Sequence, residues 1–163
     1  MILASHAIIG AAVGRLFPLS PFYGFLAGLL SHYAMDAIPH WEYTLPSISK
    51  RKKLGSGNVL VREVIFTGID FAVGIAAAFA IFPIGLEDPG ILSISFGIIG
   101  GVFPDALQFL YFFYKGEPIR MHQKFHDTIH ASRKFKDRPF VGIPLQIALI
   151  TVFILISNFF API

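Results

Sequence analysis

The chain has 163 residues, with 13 Lys and Arg against 10 Asp and Glu, and a net charge of +3 with its six His neutral. Charged residues are 14% of it and hydrophobic residues 55%, against roughly 25% charged in soluble domains, which excludes an ordinary soluble domain; 18 Phe exclude intrinsic disorder. There is no Cys, so disulfides and thiolate metal sites are excluded and any metal must be held by His, Asp or Glu.

Residues 2–17 and 21–38 are nearly uncharged and predict a hairpin of two short helices, broken at Pro18-Leu19-Ser20-Pro21. The first has no basic stretch before its apolar run and carries His6 inside it, so it reads as part of the mature protein rather than as a secretory signal. A membrane span needs about 20 apolar residues. Residues 64–82 contain one charge, Asp70; residues 89–114 contain one, Asp105; residues 139–160 contain none. These three predict full spans. Between the last two, Pro118 is a favoured first helical residue, and Met121, Phe125 and Ile129 form an apolar stripe beside His122, His126 and His130. That pattern predicts a short amphipathic helix in the interface. The expected fold is all-α: one domain over residues 1–163, an integral membrane bundle of about five helices plus a cytoplasmic interfacial helix.

Gly10 and Gly14, Gly24 and Gly28, and Gly97 and Gly101 repeat four apart, the spacing that lets membrane helices approach closely. Orientation follows from Lys and Arg, which concentrate in cytoplasmic loops. Residues 42–62 hold Lys50, Arg51, Lys52, Lys53 and Arg62, and residues 115–138 hold seven more, whereas the loop near Leu86 holds only Glu87 and Asp88. Five helices with the N-terminus inside satisfy all three. The basic loops then face anionic headgroups, and nucleic acid is not an expected partner. Trp41, Tyr43 and Tyr33 read as interfacial anchors, and Glu63 with Arg62 as a headgroup contact.

With this topology, nine polar residues fall at the cytoplasmic side: His6, His32, Asp36, His40, Asp70, Asp105, His122, His126 and His130. The orientation used Lys and Arg alone, so the agreement is independent. His32, Asp36 and His40 share a helix face at i, i+4, i+8, and His122, His126 and His130 repeat that spacing. Taken singly, each His also reads as hydrogen-bonded structure, and the second trio as a pH-sensing face. Imidazole and carboxylate are the zinc ligands of a site without thiolate. Nine candidates exceed what one tetrahedral ion uses, which predicts two or three ions with one carboxylate bridging and a residue such as Asp70 or Asp36 left for general-base work. Carboxylates in membrane helices cost about 2.5 to 3.5 kcal/mol each and mark function.

Four motifs carry a resemblance: Ser5-His6-Ala7, Ser31-His32-Tyr33-Ala34-Met35-Asp36, Gly101-Val102-Phe103-Pro104-Asp105 and Thr128-Ile129-His130-Ala131-Ser132. In these the chain resembles the inner-membrane-associated metal-dependent hydrolases, with a ligand pattern similar to zinc-dependent phospholipase C. The resemblance implies that His32 and Asp36 serve neighbouring zincs with Asp36 bridging, and that His126 and His130 complete the site. The Pro-Asp motif of that family commonly continues to a second Asp, where this chain has Leu107. The expected activity is hydrolysis of a phosphoester, most readily of a membrane lipid with an anionic headgroup. A metal or proton carrier, and a non-catalytic protein with a structural metal site, are the alternatives.

Overall fold

The computed structural model describes residues 1–43, 45, 57–131, 135 and 137–161. Lys50, Arg51, Lys52, Lys53, Arg133, Lys134 and Lys136, which carry much of the orientation argument, lie outside the described residues, as does Ser132 of the fourth motif. Among the described residues the chain forms six helices and no strand: α1 (Leu3–Gly14), α2 (Pro21–Asp36), α3 (Gly57–Ile81), α4 (Gly90–Phe113), α5 (Ile119–Ile129) and α6 (Pro139–Phe160).

Three helices, α3, α4 and α6, are long and apolar enough to cross a membrane. On α3 and α6 large apolar side chains point outward, among them Ile69, Val73, Leu155 and Phe159. The expectation of five spanning helices is reduced at the N-terminus. At 1.5 Å per residue the 12 residues of α1 reach about 18 Å and the 16 of α2 about 24 Å, short of a hydrocarbon core of about 30 Å. The predicted break at Pro18 to Pro21 is present, with Pro21 opening α2. The first long helix starts earlier than expected, so that Arg62 and Glu63 lie inside α3, where Glu63 is buried.

The shortest apolar helix is the most enclosed. Ala7, Ile9, Ala11 and Ala12 of α1 are fully buried, and α1 and α2 both pack along α4. Glycine makes that packing close. A Cβ added at Gly101 would stand 2.6 Å from the His6 carbonyl oxygen, one at Gly24 would stand 2.6 Å from the Ser93 carbonyl oxygen, and one at Gly14 would stand 3.1 Å from Gly97 Cα. The glycine pairs read from the sequence are therefore the contact seam of three helices.

Pro104 lies inside α4 and has no N–H to give the carbonyl of Gly100, which opens the backbone ladder there. The neighbouring Gly101 carbonyl accepts a hydrogen bond from His32. The chain beyond α5 returns to the chain beyond α2: Ala131 N donates to Asp36 O at 2.7 Å, and Phe135 N donates to His40 O at 2.9 Å. Gln146 of α6 donates to the carbonyl of Trp41, so Trp41 is tied to α6 rather than serving only as an anchor. The seam and these crossings bring the end of α2, the start of α1, the middle of α4 and one face of α5 to a single point.

Candidate metal centre

Asp36, the last residue of α2, is 1% exposed, and its carboxylate is the centre of the site. Around Oδ2 stand His32 Nε2 at 3.3 Å, His126 Nε2 at 3.3 Å and His130 Nε2 at 3.6 Å. Around Oδ1 stand His6 Nε2 at 3.2 Å, His40 Nε2 at 3.9 Å and the Met1 amino nitrogen at 2.9 Å, which also lies 2.8 Å from His40 Nε2. His6, His32, His40 and His126 are essentially inaccessible. The i, i+4 spacing carries His32 and Asp36 on one face of α2, and His126 is the inward residue of α5.

Two imidazoles have their tautomers fixed by carbonyls. A carbonyl oxygen only accepts, so His32 Nδ1 donates to Gly101 O at 2.7 Å and His40 Nδ1 donates to Ile38 O at 2.7 Å. The neutral His32 ring then presents its Nε2 lone pair toward Asp36, and the neutral His40 ring presents its own to the Met1 amino group 2.8 Å away. Metal-ligating histidines are oriented in this way, one nitrogen on a carbonyl and the other on the ion. Gln108 lies 3.5 Å from His126 Nδ1, on the side of that ring away from Asp36.

The distances fit an ion. Zinc–ligand bonds of about 2.0 to 2.1 Å put the vertices of a tetrahedral site about 3.3 Å apart. His32 Nε2, His126 Nε2 and Asp36 Oδ2 form a triangle with sides of 3.2, 3.3 and 3.3 Å. Asp105 adds a carboxylate oxygen 3.9 Å from His126 Nε2, and one atom from each of these four residues lies within 4.8 Å of the others. Asp36, His40 and His130 form a second group that shares Asp36. Asp36 Oδ2 accepts no hydrogen bond although buried, nor does His6 Nε2 have a hydrogen-bond partner. Orphaned polar atoms at this depth cost about 1 to 3 kcal/mol each, a deficit that a cation beside them removes. Buried His and Asp groups able to hold a metal ion are therefore present.

Seven of the nine candidates meet here: His32, Asp36, His40, Asp105, His126 and His130 in the two groups, and His6 outside both but 3.2 Å from Asp36 Oδ1. The other two are placed apart. Asp70, expected as a general base, accepts from Ala4 N at 3.3 Å and from Tyr43 Oη at 3.0 Å, and belongs to neither ligand group. Burial and that carboxylate push the Tyr43 hydroxyl above its ordinary range, so it stays the donor. His122 also stands outside both groups, its Nε2 3.0 Å from Tyr33 Oη. Burial, then the neighbouring His126 and His32, hold the His122 imidazole below its ordinary value. Tyr33 and Tyr43 thus bond polar side chains and are not anchors alone.

Two participants were not singled out by sequence. Glu42 Oε2 lies 3.7 Å from His40 Nε2 and 3.8 Å from His130 Nε2. It follows His40 by two residues in an extended segment, where alternate residues share a side. Gln108 follows Asp105 by three on α4, the helical spacing for a shared face. Both spacings are present in the sequence. No protein-family model matches the chain, and no significant match was found among curated proteins or solved structures.

Proposed function

We propose that this chain is a membrane-embedded, metal-dependent hydrolase of phosphoesters, acting at the cytoplasmic interface on lipid substrates. The observation that carries the reading is the sharing of Asp36: Oδ2 faces His32, His126 and His130, Oδ1 faces His6, His40 and the Met1 amino group, and the two ligand groups meet at this carboxylate. A carboxylate shared in this way would be the common ligand if two ions were bound. Zinc bound there supplies a nucleophile from water at neutral pH and stabilises charge on a phosphoryl oxygen.

The residues of the chain take distinct parts. His32, His126 and Asp36 would hold a first ion, and Asp36, His40 and His130 a second. Asp105 is the general base or the fourth ligand; its side chain is 23% exposed, so it stands where the buried centre opens. This gives Asp105 the part expected of Asp70, whose Oδ2 already accepts two hydrogen bonds. Glu42, 18% exposed, is placed for acid–base work beside the second group.

Lipid is supported by the surroundings. On α5 Gln123 and the site residue His126 face inward while Met121 and Phe125 are exposed, with Arg120 and Lys124 exposed beside them. An interfacial helix that sets apolar residues at the acyl boundary and cations at the headgroups has this pattern. The test is release of water-soluble phosphorylated headgroup from phospholipid vesicles by the purified protein. Zinc-reloaded protein is expected to release it, whereas chelated protein and D36A do not; no release by the zinc form ends the enzymatic reading.

A further inference from the structure

At the far end of α1 from the metal centre lies a second polar feature. Arg15, the residue capping α1, is nine residues beyond His6, about 14 Å along the helix axis. It is the only Lys or Arg before Lys50. Its guanidinium donates to Asn158 Oδ1 of α6 at 2.6 Å and lies 5.5 Å from the Phe82 ring centroid, and among the described residues it makes no ion pair. A guanidinium has five N–H donors, and the bond to Asn158 uses one. Arg15 lines a cleft of about 470 Å³, walled by Pro18, Phe82, Pro83 and Ile84 and carrying Asp88 on its rim. Asp88 is held by a hydrogen bond from Gly90 N to Oδ1 at 2.7 Å.

We propose that this cleft binds an aminophospholipid of the leaflet opposite the metal centre, with the lipid phosphate on Arg15 and its ammonium on Asp88. The volume lies in the range of about 300 to 1,000 Å³ typical of ligand sites. Arg15 is oriented in advance by an amide and a ring, and a guanidinium recognises phosphate through paired donors. The carboxylate in the same cleft selects against a purely anionic headgroup and in favour of one that also carries a cation. The apolar walls, flanked by the outward faces of α3 and α6, suit the acyl end and not a free phosphate ion. The inference rests on the membrane reading and is independent of the metal and of hydrolysis.

Native mass spectrometry of the purified chain with added phosphatidylethanolamine, phosphatidylglycerol or inorganic phosphate tests it. The wild-type chain is expected to retain one phosphatidylethanolamine, to bind phosphatidylglycerol at least tenfold more weakly, and to bind no inorganic phosphate. R15Q should weaken phosphatidylethanolamine at least tenfold. D88N, which keeps an acceptor for Gly90 N and removes only the charge, should erase the preference between the two lipids. Unchanged elution volume on size exclusion checks folding, and D88N decides the matter if R15Q does not fold. Equal binding of the two lipids by the wild type, an undiminished preference in D88N, or retention of phosphate alone would overturn the proposal.

Discussion

His32 Nε2 and His126 Nε2 lie 3.2 Å apart, on side chains 94 residues distant in sequence. His32 has its Nδ1 proton committed to the Gly101 carbonyl, so its Nε2 turns a lone pair toward His126 and toward the acceptor oxygen of Asp36. His32 Nε2 and Asp36 Oδ2, two acceptors 3.3 Å apart, repel one another unless a proton or a cation lies between them. The apolar chain that buries them raises the cost of leaving them unpaired.

The helix seam that sets this distance makes the first prediction. G101A would drive a methyl group against the His6 carbonyl and displace the acceptor of His32. Overpacking of this kind costs about 1 to 3 kcal/mol, and metal affinity should fall with it. G68A is the contrast, because a Cβ at Gly68 on α3 meets nothing within 4 Å. Ala is the better helix former by about 1 kcal/mol, so G68A should leave the melting temperature equal or raised. Thermal unfolding in detergent of the two variants separates them, and equal losses would refute the close-seam account.

The seam and the proline turn were legible in the sequence because both depend on local spacing: glycines four apart, and two prolines framing Leu19 and Ser20. The gathering of His6, His32, Asp36, Asp105 and His126 was legible as a shared depth. Their contact was not, since it depends on how deeply α1 is enclosed and on α5 folding back over α2 and α4. Asp70 and His122 share that depth but are taken up by Tyr43 and Tyr33, partners that depth alone does not reveal. The two short helices read as spans because composition records apolarity, while length in the folded chain is set by Arg15 and Pro18 after α1 and by Pro39 after α2.

Protons compete with the ion for the imidazoles. A bound His must be neutral, and an ordinary imidazole titrates near pH 6.5, so between pH 7.5 and 5.5 its neutral fraction falls about tenfold. With two imidazoles in the first group, zinc affinity should fall steeply over that interval, highest at the alkaline end. Competition titration against a chromophoric chelator measures it. A pH-independent affinity would mean that the ligands are not imidazoles.

Metal should also clasp α5 to the bundle. His126 is the residue of α5 that reaches both Asp36 and Asp105, whereas Arg120 and Lys124 on the same helix are exposed. Removal of the ion leaves α5 held by packing on α4 and α2. Limited trypsin digestion should therefore cut at Arg120 and Lys124 faster in chelated protein than in zinc-loaded protein. Equal rates would show that α5 is docked without help from the ion.

Metal content of the purified chain, read together with the zinc absorption edge, tests the central claim most directly. The account predicts stoichiometric zinc with imidazole nitrogen and carboxylate oxygen at about 2.0 to 2.2 Å, lost in D36A and in the double variant H32A/H126A and retained in D70N. A wild-type chain that binds no zinc, or that binds it equally well without Asp36, would contradict it.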